Sequence, residues 1–107
     1  MREFENYIFL AVELASGGSL ADLIRRREKQ GKRITEDESC KLCTALLNGL
    51  AEIHRHDYIH RDLKPGNVVI EDPNDLSTVK VIDFGLALKV VVAANQPPDD
   101  NCGTLVY

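Results

Sequence analysis

The sequence predicts an α+β fold, and two patterns within its 107 residues carry that prediction. A Thr-x-x-Glu capping sequence at residues 35–38 precedes apolar residues at three- and four-residue spacing, which is typical of a long amphipathic helix. Two β-branched runs, residues 68–70 and 79–82, flank a turn-rich segment and predict a β-hairpin. A chain of this length forms one compact unit at most.

The first expected element is a strand at residues 7–14. Its run of Tyr, Ile, Phe, Leu, Ala, Val, Glu and Leu is rich in strand-forming residues and predicts burial on both faces. Residues 15–18 contain adjacent glycines and should end the strand.

A helix is expected next, over residues 19–30. Ser19 is a candidate N-cap, because its hydroxyl can accept a hydrogen bond from a first-turn amide. The spacing of Leu20, Leu23 and Ile24 places them on one face, which predicts an apolar side for this helix.

Basic side chains are concentrated at the end of this helix and just after it. They are Arg25, Arg26, Arg27, Lys29, Lys32 and Arg33. Such a cluster can indicate a nucleic-acid patch or a nuclear address. No aromatic residues interleave, so we favour a solvated helix face and do not expect a nucleic-acid partner. A docking role for acidic partners stays open.

The longest expected element is a helix that begins at residues 35–38 and ends near His56. Acidic residues crowd its first turn, where the helix dipole favours them. Its apolar residues predict a stripe about five turns long that faces the core. His54 belongs to that stripe and is interpreted as a core histidine rather than a ligand. The full stripe is Cys40, Cys43, Leu46, Leu47, Leu50, Ile53 and His54.

The cysteines and the apolar stretches of the sequence indicate where in the cell the protein is expected. The chain has three cysteines and no pattern typical of a secretory signal, which favours reduced thiols. Cys40 and Cys43 form a single C-x-x-C on a helix face, where core packing is favoured over zinc or redox chemistry. No apolar stretch approaches the ~20 residues of a membrane span. We therefore expect a cytoplasmic or nuclear protein with no membrane partner.

Two short motifs carry the functional prediction. Residues 60–67 read His, Arg, Asp, Leu, Lys, Pro, Gly, Asn, and residues 83–85 read Asp, Phe, Gly. In order and separation, H-R-D-L-x-x-x-N and D-F-G resemble the catalytic and metal-binding loops of a eukaryotic protein kinase. The resemblance covers residues 7–107 and implies a partial protein-kinase-like fold.

The resemblance implies transfer of the terminal phosphate of ATP to protein hydroxyl groups, with Mg²⁺ as cofactor. Asp62 would accept the hydroxyl proton, and Lys64 would place a positive charge near the transferring phosphate. Asn67 would offer an amide oxygen to the metal and Asp83 a carboxylate. The Pro-Gly turn before Asn67 suits a loop that folds back on one cavity.

Three further residues of the motifs would have supporting roles. Histidine titrates near neutrality, which makes His60 a conceivable general base. By resemblance, however, His60 is structural and packs against Phe84. Gly85 would end the strand that leads to the metal-binding acid.

The strand at residues 7–14 and its glycine pair resemble the kinase hinge, on which adenine hangs by backbone hydrogen bonds. The resemblance assigns Glu13 and Ala15 to those contacts and Val12 to the gatekeeper position. Val69, in the predicted hairpin, would lie under the adenine ring.

The substrate class also follows by resemblance. Lys64, Gly103 and Thr104 resemble the serine/threonine branch of the family, with Thr104 at the peptide-binding side. Leu105 departs from the more common G-T-P pattern, which affects the expected peptide preference but not the class.

A regulatory hypothesis follows from residues 86–102, which contain no Ser, Thr or Tyr. In many related kinases a phosphorylated residue of this segment pairs with the arginine before the catalytic acid. Here Asp100 could take that place and pair with Arg61. The alternative is that Asp99 and Asp100 are simply solvated loop charges.

The resemblance covers only the middle of a kinase domain. Residues 1–15 would be the end of the N-lobe and the hinge, and residues 16–107 part of the C-lobe. A glycine-rich loop, a V-A-I-K lysine and an A-P-E motif are absent from the sequence, so we expect a fragment inactive alone.

Two alternative functions stay open. A truncated kinase could act as a non-catalytic binding module. Small-molecule phosphotransferases share an H-x-D-x-x-x-x-N loop and a later metal-binding Asp. Arg61, Lys64 and the Phe84, Gly85 pair fit the protein-kinase pattern better.

Overall fold

The computed structural model describes residues 2–4 and 7–90 of the chain, with side chains from residue 10 onward. These residues form two α-helices and three two-stranded antiparallel sheets, which confirms the α+β class. The sheets pair β1 with β2, β3 with β6 and β4 with β5. The helices are α1 (Leu20–Lys29) and α2 (Glu36–Arg55), and the strands are β1 (Arg2–Phe4), β2 (Tyr7–Phe9), β3 (Tyr58–Ile59), β4 (Val68–Ile70), β5 (Val79–Val81) and β6 (Leu88–Lys89).

Helix α1 begins where the sequence predicted, at a Ser19 cap. The Ser19 hydroxyl accepts from the Asp22 amide at 3.1 Å, and the Asp22 carboxylate accepts from the Ser19 amide at 3.3 Å. This reciprocal arrangement is a capping box. Leu20 and Leu23 are buried as expected, whereas Ile24 is exposed because it lies at the edge of the packed face.

Helix α2 also has the predicted bounds and capping box. Thr35 accepts from the Glu38 amide at 3.2 Å, and Glu38 accepts from the Thr35 amide at 3.0 Å. The helix ends at Arg55, with His56 as its C-cap. Its sequence pattern therefore located both ends correctly.

The face that α2 packs agrees only in part with the predicted stripe, of which Leu46, Leu50 and Ile53 are half-buried. Cys40, Cys43, Leu47 and His54 are exposed, so their assignment to the core was wrong. The packed residues are Leu42, Ala45 and Leu46, and Gly49 faces Val81 closely enough that an added Cβ would lie 3.8 Å from it. The small residues let the hairpin approach, and spacing alone did not reveal them.

The hydrophobic core lies where the hairpin meets the two helices. Ile70, Leu76 and Val68 are almost fully buried. Leu20 and Leu23 of α1 complete the cluster from one side, and α2 packs on it from the other. The hairpin of β4 and β5 is confirmed and is the central element of the fold.

The predicted strand at residues 7–14 is shorter than expected and is not buried on both faces. It ends at Phe9, and Leu10, Val12 and Leu14 are 69, 75 and 83% exposed. Within the described residues, β2 pairs only with β1, and the chain beyond Phe9 is not part of a sheet.

A backbone pairing joins the segment before α1 to the hairpin. Gly17 donates to the Ile70 carbonyl at 2.7 Å, and the Ile70 amide donates to the Gly18 carbonyl at 2.8 Å. A Cβ on Gly17 would lie 2.4 Å from the Ile70 oxygen. Position 17 therefore requires glycine because of close backbone approach.

Among the described residues, neither helix is both long enough and apolar enough to cross a membrane.

Candidate functional site

The loop that carries the first motif starts from the end of α2. Asp57 turns the chain with a left-handed φ of 64°, and β3 follows at once. The Asp57 carbonyl accepts from the Val90 amide, and β3 pairs with β6. A long packed helix and a short sheet thus fix the point where the loop begins.

His60 lies at the centre of the loop contacts and is buried, with 3% of its surface exposed. Its Nδ1 accepts from the Asp62 amide at 3.2 Å. Nε2 then carries the proton and donates to the Ile82 carbonyl at 2.8 Å. The ring meets Phe84 edge to face, with centroids 5.4 Å apart. His60 therefore contacts the second motif through its ring and the residue before that motif through Nε2, while Nδ1 holds its own loop.

Asp62, Lys64 and Asn67 lie together in one cluster. The Asn67 side-chain amide donates to the Asp62 carbonyl at 2.9 Å and to its carboxylate at 3.1 Å. Lys64 Nζ lies 3.6 Å from the same carboxylate oxygen. The carboxylate is mostly buried, with 12% of its side chain exposed. The turn at Pro65–Asn67 thus folds back as the sequence predicted, and the three side chains form one polar site.

Asn67 also joins the cluster to the hairpin. It is buried, and its carbonyl accepts from the Ile82 amide at 2.9 Å. Since His60 holds the Ile82 carbonyl, Ile82 is fixed on both sides. Asp83 follows Ile82 in the chain, so it is attached directly to a residue that is hydrogen-bonded to Asn67.

Asp83 is exposed and has a left-handed φ of 63°. Its carboxylate accepts from the Gly85 amide at 3.1 Å, which closes a tight local turn. The carboxylate itself contacts neither Asp62 nor Asn67 by a hydrogen bond within the described residues. Asp83 is thus held within its own turn rather than by the cluster around Asp62.

Arg61 reaches across to the second motif. It has a left-handed φ of 69°, and its Nε donates to the Leu86 carbonyl at 2.6 Å. Asp100, the residue expected to pair with it, lies outside the described residues, as does Thr104.

The residues assigned to adenine fall on the segment before α1 and on β4. Val12 and Glu13 are exposed, and Ala15 and Val69 are half-buried. Val69 pairs with Lys80 in the hairpin and bridges to Ser19. The segment that follows Ala15 thus runs beside Val69.

An ion pair that the sequence did not indicate ties this segment to the hairpin. Lys80 Nζ contacts the Glu13 carboxylate and lies 3.7 Å from Glu71. The hydrogen bond that Lys80 donates to Glu13, with smaller electrostatic contributions from Glu13 and Glu71, raises the pKa of Lys80. Neither spacing nor composition signals a pair so distant in sequence, and the Gly17–Ile70 backbone pairing was missed for the same reason.

The side chains of the site include oxygen atoms that suit a Mg²⁺ ion. The described residues contain no group of three His, Cys, Asp or Glu side chains that could hold one. Mg²⁺ is commonly bound by one or two protein oxygens together with phosphates and waters. Asn67 uses its nitrogen for Asp62, which leaves the amide oxygen as its ligand atom. That oxygen and the exposed Asp83 carboxylate fit the chemistry of Mg²⁺.

Comparison with known proteins identifies the family of the chain. The model of the protein kinase domain matches residues 1–107. The chain is 34% identical over 106 residues to calcium-dependent protein kinase 4 of Plasmodium berghei (strain Anka). The aligned residues cover 98% of this chain and 19% of the relative. The chain is 40% identical over 105 residues to maternal embryonic leucine zipper kinase of Xenopus tropicalis, covering 98% of this chain and 15% of the relative.

The chain thus spans less than a fifth of the length of these curated relatives. The family match, by contrast, covers the whole chain, including both motifs and the elements that position them. The chain belongs to the protein kinase family.

Proposed function

We propose that the chain carries the catalytic and metal-binding loops of a serine/threonine protein kinase, which transfers the terminal phosphate of ATP to protein hydroxyls. The observation that carries the proposal is the cluster around Asp62. The Asp62 carboxylate accepts a hydrogen bond from the Asn67 side-chain amide at 3.1 Å and lies 3.6 Å from Lys64 Nζ. These contacts hold a mostly buried acid in one orientation.

Asp62 is the proposed acceptor of the substrate hydroxyl proton. The loop is fixed by two hydrogen bonds: the Asn67 side chain donates to the Asp62 carboxylate, and the Asp62 backbone amide donates to His60. The carboxylate therefore needs little rearrangement before it acts. Lys64 supplies a positive charge beside it, where negative charge gathers on the transferring phosphate.

Asn67 and Asp83 are the proposed Mg²⁺ ligands. When bound, Mg²⁺ would neutralise charge on the phosphate oxygens of ATP. Asn67 is already oriented by its bonds to Asp62, whereas Asp83 presents its carboxylate at an exposed left-handed turn. The Ile82 amide, one residue before Asp83, donates to the Asn67 carbonyl, so the two proposed ligands lie on hydrogen-bonded segments.

The lobe assignment belongs to the same proposal. Residues 1–15 are the end of the N-lobe and the hinge, and residues 16–107 are part of the C-lobe. Glu13 and Ala15 offer backbone groups to adenine, with Val12 beside it and Val69 beneath it. The bridge between Ser19 and Val69 supports this, because it brings the hinge segment alongside the hairpin.

Activity requires parts that these 107 residues do not carry. The glycine-rich loop and the phosphate-binding lysine of the family are not in the sequence. The isolated chain is therefore expected to transfer phosphate at no rate above background. Serine/threonine preference, with Thr104 on the substrate side, and an Asp100–Arg61 pair are further parts of the proposal.

The test compares two substitutions in the full-length protein that contains this chain. Asp62→Asn should abolish turnover and leave Mg-ATP affinity nearly unchanged, because Asp62 contacts no metal in this scheme. Asp83→Asn should abolish turnover and weaken Mg-ATP binding as well. A nucleotide-binding titration and a phosphotransfer assay separate the two.

Asp57→Asn is the matched control. Asp57 has a φ of 64°, close to the 63° of Asp83, but lies at the end of α2 away from the cluster. It should change neither turnover nor ATP affinity. Equal, large losses of ATP affinity in the Asp62 and Asp83 variants would show that the two roles are misassigned.

A further inference from the structure

A basic surface lies away from the proposed catalytic cluster. Six of the 13 basic residues fall between positions 25 and 33, although the whole chain has a net charge of −4. Arg26, Arg27, Lys32 and Arg33 line a cleft of about 480 Å³ between the end of α1 and the start of α2. This is called the basic cleft below.

The turn after α1 brings the cations of the basic cleft together. Gly31 has a left-handed φ of 66°, and its amide donates to the Glu28 carbonyl at 3.0 Å. The Lys32 amide donates to the Arg27 carbonyl at 2.8 Å. These bonds form a Schellman motif, which reverses the chain direction. Lys32 and Arg33 therefore return to the last turn of the helix instead of extending away from it.

The single carboxylate that lines the cleft is already occupied. Glu38 receives two hydrogen bonds from the Arg27 guanidinium, at 2.6 and 2.7 Å. These bonds, followed by the Thr35 amide, lower the pKa of Glu38 to about 2. Glu38 is thus ionised at neutral pH and compensates Arg27. Within residues 10–90, Arg26, Lys32 and Arg33 are exposed and form no ion pair.

Stabilisation of the helix explains only part of this charge. Cations in the last turn interact favourably with the helix dipole, which accounts for Arg26, Arg27 and Lys29. Lys32 and Arg33 follow the helix and lie beside other cations, where repulsion is unfavourable. Gln30 and Asn74 add neutral amide donors to the lining. The cleft therefore presents hydrogen-bond donors and a net positive charge on a concave surface, since four cations and one carboxylate line it.

We propose that the basic cleft binds an acidic peptide segment of a partner protein, with Asp or Glu carboxylates facing Arg26, Lys32 and Arg33. A cleft of this volume accommodates a few side chains of an extended segment. Its lining contains no aromatic residue on which nucleic-acid bases could stack. The proposal does not depend on phosphotransfer, because none of these residues belongs to the catalytic cluster.

The test measures peptide binding by fluorescence anisotropy, with the full-length protein and a fluorescein-labelled peptide of alternating Glu and Gly. Lys32→Glu with Arg33→Glu should weaken binding about tenfold, because two attractive contacts become repulsive. Lys32→Gln with Arg33→Gln should weaken it by about threefold, and this milder pair guards against misfolding. Added salt should weaken binding to the unmodified protein, since the contacts are exposed.

The matched control reverses two charges elsewhere, by Arg55→Glu with Lys89→Glu. It gives the same net charge but lies outside the basic cleft, and binding should stay within about twofold. Equal loss in both charge-reversed proteins would overturn the proposal, because it would show a response to net charge alone. Tighter binding of oligothymidine or phosphatidylserine vesicles than of the peptide, lost with the same Lys32 and Arg33 changes, would also overturn it.

Discussion

The two loops of the proposed active site are held in different ways. In the loop of residues 60–67, His60 and Asn67 are buried and Asp62 is bonded to both. In the loop of residues 83–86, every residue is exposed, and Asp83 is held by a bond within its own turn. The first loop is fixed by its buried side chains and runs directly into the core at Val68, whereas the second is fixed chiefly by its attachment to the first.

This difference has a chemical interpretation. A proton acceptor must be oriented before the substrate arrives, because misplacement costs rate directly. A metal ligand is completed by the metal and the phosphates, so its final position is shared with the ligand. The comparison therefore predicts that substitutions under the first loop cost stability, whereas substitutions in the second loop cost ligand binding.

The largest expected effect tests the core under the first loop. Ile70→Ala removes a side chain with no exposed surface and should lower the free energy of unfolding by about 2–5 kcal/mol. Leu86→Ala, in the second loop, removes a side chain that is 39% exposed and should cost less than about 1.5 kcal/mol. Urea denaturation of the full-length protein measures both. Equal losses would contradict the comparison.

The next effect concerns the polar bonds of the first loop. Asn67→Ala removes both hydrogen bonds from the Asn67 side chain to Asp62 and should lower the free energy of unfolding by about 1–3 kcal/mol, since two hydrogen bonds of a buried side chain are lost. Turnover should fall as well. Asn74→Ala is the control, because Asn74 is exposed and its only hydrogen bond in the described residues is made by its backbone amide. An Asn67 variant as stable as the control would show that the loop is fixed by other contacts.

A smaller effect is expected at the contact between the loops. Phe84→Ala removes the edge-to-face contact with His60 and should cost about 0.5–1.5 kcal/mol. Because the contact links the two loops, the loss of Mg-ATP affinity should be larger than the loss of unfolding free energy alone would cause. Phe84→Tyr retains the ring and should restore both. If the alanine variant binds Mg-ATP normally, the second loop is positioned independently of His60.

The smallest effect tests a contact remote from both loops. The pKa of Glu38 falls from 4.5 to about 2 on folding, so its bonds to Arg27 stabilise the protein above pH 4.5. That contribution is lost as the pH falls towards 2, where Glu38 protonates in the folded state as well. In the Glu38→Gln variant, the free energy of unfolding should not show this decrease between pH 4.5 and 2. Mg-ATP affinity at neutral pH should be unchanged, and a clear loss of affinity would show that the pair supports the site.

Local chemistry explains what the sequence predicted well. The caps at Ser19 and Thr35 depend on residues three positions apart, and both were found where expected. The hairpin was likewise evident from two β-branched runs around turn residues. Each of these signals lies within a few residues of the structure that it determines.

Packing partners explain what the sequence predicted poorly. Helix spacing allowed several faces for α2, and only the approach of the hairpin to Ala45 and Gly49 selects one. Cys43 and Leu47 are consequently exposed rather than buried. In the site, the motifs located Asp62 and Asn67, but the Lys80–Glu13 pair depends on tertiary proximity that no local pattern encodes.

The pairing of Gly17 with Ile70 has a consequence for the order of folding. Its two backbone bonds close a loop that contains both helices, and closing so long a loop is entropically costly. During synthesis, Gly17 and α1 emerge well before Ile70, so Leu20 and Leu23 have no core partner until the hairpin is translated. Contacts so distant in sequence slow folding. We therefore expect the segment around α1 to remain open to chaperones until the hairpin has been translated.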